Sequence, residues 1–161
     1  MIVADTGPLI AFARIGQLDL LRRVVGTLHI PEAVYHELLR PGRERPGATE
    51  IVHGGWIHRH TVGNETAIAQ LPSTLHHGER QAIVLAQALS AALLIDEQRG
   101  RTIAQAQGLT VIGSLWVLAT AKQRGYLEHV KPFITALLAA GYWLDELLLA
   151  PFLQSVGEHD E

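Results

Sequence analysis

Short apolar runs separated by longer stretches of helical spacing set the pattern of this chain. Five runs read as strands: about Met1 to Ala4, Thr27 to Ile30, Trp56 to His60, Ala91 to Ile95 and Leu109 to Ile112. A short helix begins near Pro8 and a second covers Leu18 to Val25. Pro31 to Leu39 puts proline in a first helical turn, and Pro41-Gly42 closes that helix. Gly78 to Leu89 carries Ala82, Ile83, Ala86 and Leu89 on one helical face. Glu97 to Gln107 ends at Gly108, a C-cap signal. Beyond Gly113 the pattern is helical almost to the end, with breaks at Gly125 and Gly141, whereas Val62 to Thr74 shows no clear period. Strands alternating with helices predict an α/β fold with a mostly parallel sheet of roughly five strands, covered on both faces.

Composition narrows this picture. With 161 residues, 48% of them hydrophobic, the chain fits one domain spanning residues 1–161. A core is expected over 1–125, followed by C-terminal helices and a short acidic tail over 126–161. The net charge of -3 argues against a general basic coat for nucleic acid, while leaving room for a basic rim around an acidic cleft. The absence of cysteine excludes disulfides and thiolate metal sites and fits a reducing cytoplasm. Asp5 interrupts the first apolar run, so no signal peptide is expected. Pro132 to Pro151 is interrupted by Gly141, Asp145 and Glu146, which reads as two helices meeting at a turn rather than a membrane span. The expectation is a soluble, cytoplasmic protein.

Two acids end strands. Asp5 follows Met1-Ile2-Val3-Ala4, and Asp96 follows Ala91-Ala92-Leu93-Leu94-Ile95. Open α/β sheets keep their chemistry at the carboxyl ends of their strands. Each Asp also precedes a helix and could serve as its N-cap. Glu79 falls in a first helical turn, where the helix dipole alone accounts for it. Glu37 flanks Val34 and Leu38 and lies either on a solvated face or at the edge of the buried stripe. Glu32 fits the dipole of its own helix, and Glu97 diverges in direction from Asp96. If Asp5, Glu37, Glu79 and Asp96 met, such a cluster without soft partners would suit Mg²⁺ or Mn²⁺. A bound cation would relieve their mutual repulsion. Spacing alone does not bring the four together.

Four segments in order carry a resemblance. They are Asp5-Thr6-Gly7-Pro8-Leu9-Ile10, Ile30-Pro31-Glu32-Ala33-Val34-Tyr35-His36-Glu37-Leu38, Gly78-Glu79-Arg80-Gln81-Ala82-Ile83 and Leu93-Leu94-Ile95-Asp96-Glu97-Gln98-Arg99-Gly100-Arg101. Together, over Met1 to about Gly125, they resemble the PIN-domain family, which includes VapC-type toxin ribonucleases. The likeness is greatest to a subgroup described as predicted nucleic-acid-binding proteins. The resemblance implies a three-layer α/β/α fold and an Mg²⁺- or Mn²⁺-dependent endoribonuclease, with a catalytically silent RNA- or protein-binding module of the same fold as the alternative. It implies Asp5, Glu79 and Asp96 as metal ligands, with Glu37 binding metal or orienting the attacking water. Thr6, Arg99 and Arg101 are candidate substrate contacts. Candidate partners are RNA, an antitoxin protein and a second copy of the chain. The chain departs from many relatives in carrying Gly7 in place of Ser or Asn, which removes a polar contact near Asp5. It also carries Glu79 where toxin members often have Asp.

Other features yield less. Asp5-Thr6-Gly7 spells the aspartic-protease tripeptide, but that chemistry needs two such acids and the chain has one copy. His58 and His60 share one strand face and His76-His77 precede Glu79, yet no zinc-type spacing occurs. These read as surface histidines, with His76 and His77 near the cleft. Arg40, Arg43, Arg45 and Arg80 join Arg99 and Arg101 as candidate phosphate contacts, and Trp56 or Tyr35 as candidate base-stacking residues. Leu144 to Val156 forms an apolar helical stripe, capped by Asp145, that reads as core ahead of a dimer or antitoxin interface.

Overall fold

The computed structural model describes residues 1–40 and 45–159. Pro41, Gly42, Arg43 and Glu44, expected to close a helix and supply a phosphate contact, lie outside the described residues, as do Asp160 and Glu161 of the acidic tail. Five strands, β1 (Ile2–Ala4), β2 (Leu28–Pro31), β3 (Ile57–His60), β4 (Ala92–Leu94) and β5 (Val111–Ile112), form one sheet in the order β3-β2-β1-β4-β5. All four pairings are parallel, with Ala4 opposite Leu94 and Val3 opposite both His29 and Leu93. The sheet is thus wholly parallel, and each expected strand is present within a residue or two.

Ten helices are described. They are α1 (Thr6–Arg14), α2 (Leu18–Val25), α3 (Glu32–Leu38), α4 (Ala48–His53), α5 (Glu65–Gln70), α6 (His77–Leu89), α7 (Gln98–Ala106), α8 (Ser114–Gln123), α9 (Lys131–Ala139) and α10 (Glu146–Ser155). Successive strand residues point to opposite faces, and both faces of the sheet are covered. On one face Ala4, Leu28, Ile30 and Leu94 join Leu9 and Phe12 of α1, Leu21 of α2 and Leu118 of α8. On the other, Val3, Leu93 and Ile95 join Ala82, Ile83 and Ala86 of α6 and Ala104 of α7. This is the three-layer α/β/α arrangement. Among the described residues no helix is long and apolar enough to cross a membrane.

Some details differ from expectation. Pro31 has extended backbone (φ -76°, ψ 162°) and closes β2, so α3 starts one residue later, at Glu32. Val62 to Thr74 contains α5, whose Asn64 side chain accepts from the Ala67 N–H as an N-cap. Trp56 is only 8% exposed and belongs to the core, which removes it as a base-stacking residue. Tyr35 has the Arg59 guanidinium 4.2 Å from its ring centre, so that face of the ring is already taken.

Candidate active site

The sheet order changes direction between β1 and β4. Chains leaving their carboxyl ends there part to opposite sides and leave a crevice. Asp5 is the first residue beyond β1, tied by its N–H to Leu94 O at 3.0 Å, and Asp96 lies two residues beyond β4. The crevice is a cavity of about 320 Å³ whose wall includes Asp5, Glu37, Glu79 and Asp96. The four acids proposed from separate segments therefore face one space. Among the described residues, the buried polar side chains are Asp5, Thr6, Glu79 and Ser114, and every one belongs to this site.

Each acid is positioned differently. Asp5 occupies the N-cap position of α1 but makes no side-chain cap bond, so capping does not explain its carboxylate. Glu37 reaches in from the last turn of α3, where its Oε2 accepts from Thr6 Oγ1 at 2.9 Å. Gly78 lets α6 approach: a Cβ there would sit 3.3 Å from Glu37 Oε2 and 3.5 Å from Val34 Cγ2. Glu79, 7% exposed, accepts from the His76 N–H at 3.1 Å and so does fulfil the helix-start role expected of it. Gln81 secures the neighbouring helix, accepting from the Ala33 N–H at 3.0 Å.

Asp96 does not cap α7. That task falls to Glu97, whose carboxylate accepts from the N–H groups of Arg99 and Gly100 at 3.0 and 2.6 Å. Asp96 instead turns across the sheet. Oδ1 accepts from the Ser114 N–H at 2.7 Å, and Oδ2 accepts from Ser114 Oγ at 2.5 Å and from the Tyr142 hydroxyl. Gly113 makes this approach feasible, since a Cβ at that position would lie 2.7 Å from Asp96 Oδ1. Sequence reading missed Ser114 and Tyr142. Both lie well beyond the strand-ending motif, and only the packing of the C-terminal helices brings the phenol back. The same hydroxyl stands 3.5 Å from where a Cβ on Gly7 would begin, so a polar group does occupy the neighbourhood left bare by that glycine.

Charge crowding has an electrostatic consequence. Burial pushes the Asp5 carboxyl up to about 7, the neighbouring Thr6 N–H opposes this, and Glu79, Glu37 and Asp96 push it further. Glu79 is also raised, mainly by burial and then by Glu97 and Glu37, against the His76 N–H. Burial and the carboxylate of Asp96 hold the Tyr142 phenol protonated, as a donor to that acid. Among the described residues, no three histidine or acidic side chains form a ready-made metal cage. The hydrogen bonds give a reason: Glu37, Glu79 and Asp96 are each turned toward a protein donor. As a donor set the four fit a hard divalent cation, because every group is a carboxylate and the buried, mutually repelling Asp5 has no countercharge among the described residues.

The proposed substrate contacts separate. Thr6 lines the cavity, but its hydroxyl hydrogen is used on Glu37. Arg101 donates from Nη1 to Ile95 O at 2.7 Å and lines an adjoining cavity that also touches Asp96. Arg99 is exposed on α7 and does not line either of those spaces. His76 lines the acidic cavity, while Arg40, Arg45 and His77 line a further one that shares Glu37 and His76 with it. The acids thus lie beside a partly basic cleft.

A family model described as PIN domain matches residues 1–158, and the chain belongs to the PIN-domain family. Among solved structures it is similar to a PilT N-terminus domain protein from the hyperthermophilic archaeon Sulfolobus solfataricus P2. The TM-score is 0.58 at 15% identity, covering 75% of this chain and 93% of that one. Among curated proteins none matches.

Proposed function

We propose that this chain is a metal-dependent endoribonuclease. The observation that carries the reading is the convergence of Asp5, Glu37, Glu79 and Asp96 on one cavity at the sheet's switch point. The PIN-domain membership supports it. Asp5, Glu79 and Asp96 would hold Mg²⁺ or Mn²⁺, and Glu37 would hold the ion or orient water. When bound, the cation supplies charge stabilisation for a phosphodiester oxygen and lowers the pKa of a coordinated water.

The protein's own groups contribute positioning. Ser114 and Tyr142 fix Asp96, Thr6 fixes Glu37, and the start of α6 fixes Glu79. Arg40, Arg45 and His77 offer a path for RNA phosphates toward the acids from the α3–α6 side. The test is cleavage of RNA with Mn²⁺ or chelator by the parent protein, Asp5→Asn and Asp96→Asn. Parent activity dependent on Mn²⁺ and lost in both variants is expected. Equal activity in parent and variants would refute the site.

A further inference from the structure

The acidic cavity has a wall that the acids do not explain. Trp143 lines it while remaining 73% exposed. Trp143 and Asp96 also wall a second cavity of about 330 Å³, lined in addition by Arg101, Trp116 and Leu148. Tryptophan is usually well covered in a folded chain. Its chain neighbours on both sides are anchored. Tyr142 is anchored to Asp96 by its hydroxyl, Leu144 is buried in the core, and Asp145 caps α10 by accepting from the Leu147 N–H. Gly141, at φ +84°, supplies the left-handed turn that starts this segment. The backbone on either side of Trp143 is therefore fixed, and its indole stands beside a cleft of carboxylates.

We infer that Trp143 is a stacking platform for an unpaired nucleobase next to the phosphodiester bound at the acids. This rests on the nuclease reading above and adds to it a residue that selects substrate. An indole binds a base through its face without needing charge complementarity, which suits a cavity rimmed by acids. Arg101, fixed on the Ile95 carbonyl, places a cation in the adjoining cavity for the phosphate that follows. A base already stacked in a duplex cannot use the platform, and purines offer the larger stacking surface. The substrate is then an RNA strand with an unpaired purine beside the scissile bond.

The test uses end-labelled oligoadenylate and oligouridylate, with binding followed by anisotropy in the non-cleaving Asp5→Asn protein. Adding Trp143→Ala is expected to weaken oligoadenylate binding by about tenfold and oligouridylate by less, with Trp143→Phe retaining most of the affinity. In the otherwise unaltered protein, Trp143→Ala raises KM more than it lowers kcat, and Mn²⁺ binding is retained. Unchanged oligoadenylate binding in Trp143→Ala would overturn the platform. So would a parent dimer that becomes monomeric in Trp143→Ala with RNA binding intact, since the indole would then be a protein contact. RNA binding that depends on Trp143 without any cleavage would uphold the platform and refute the nuclease. Cleavage with an unchanged KM in Trp143→Ala would do the reverse.

Discussion

Replacing Asp5 by Asn is expected to stabilise the metal-free protein at neutral and higher pH. Asp5 is 8% exposed, and its carboxyl is raised from 3.8 to about 7 by burial and by the acids around it. An acid whose folded-state pKa exceeds its unfolded value favours the fold in its protonated form. That contribution is full below pH 3.8 and is lost as pH rises through about 7. At 1.36 kcal/mol per tenfold, the whole difference corresponds to at most about 4 kcal/mol. Asn keeps the shape of the protonated acid and never ionises. Allowing for relaxation of the site, a gain of about 2 kcal/mol is expected at pH 8. For a chain of this size that is roughly 4–8 °C in Tm. The assay is urea denaturation of parent and Asp5→Asn in chelator at pH 4 and pH 8. A gain confined to the higher pH confirms that burial and the neighbouring acids raise the Asp5 carboxyl. Equal stability of the two proteins at pH 8 would show that Asp5 carries no such strain.

Two further changes probe the supports. Gly113→Ala places a methyl 2.7 Å from Asp96 Oδ1 and 2.8 Å from Arg101 Nη1 at an ordinary backbone φ of -133°. It should therefore displace Asp96 and lower Mn²⁺ affinity about tenfold or more, while circular dichroism stays native; unchanged affinity would count against the placement of Asp96. Glu158 accepts from Lys122 Nζ and from the Val130 and Lys131 N–H groups, and these partners, working against burial, hold its carboxyl down at about 2. A depressed carboxyl contributes stability above its unfolded value of 4.5 that is lost as pH falls toward 2. Glu158→Gln should cost about 1–3 kcal/mol at pH 7 and less at pH 3, measured by denaturant titration; an equal cost at both pH values would contradict this.

Much of the scaffold was legible because period and punctuation agree in it. The strand runs ending at Ala4 and Ile95 are short, apolar and followed by acids, which is how a parallel sheet presents its carboxyl edge. The helices α4 and α5 were not read, since six residues give too little of a 3.6-residue period to register. At the site, Asp5 and Asp96 follow from local pattern, whereas the helix dipole accounts fully for Glu79, the pattern leaves Glu37 between a solvated face and the edge of the buried stripe, and the resemblance is what joins the four. Glu79 proves that such explanations need not compete, because it caps α6 and lines the cavity together. Asp96 shows the opposite. Its capping role passes to Glu97, and its true partners, Ser114 and Tyr142, come from elements whose contact with it no local pattern encodes. Trp56 is buried and Trp143 exposed for the same reason, as burial is a property of tertiary packing rather than of residue type.

The four carboxylates are proposed to form a site for a hard divalent cation, and direct Mn²⁺ binding tests this. Calorimetric titration at pH 7.5 should show saturable binding to the parent protein that is abolished or weakened at least tenfold in Asp5→Asn and Asp96→Asn, both remaining folded. Absence of binding to the parent at millimolar Mn²⁺, or identical isotherms for parent and variants, would contradict it.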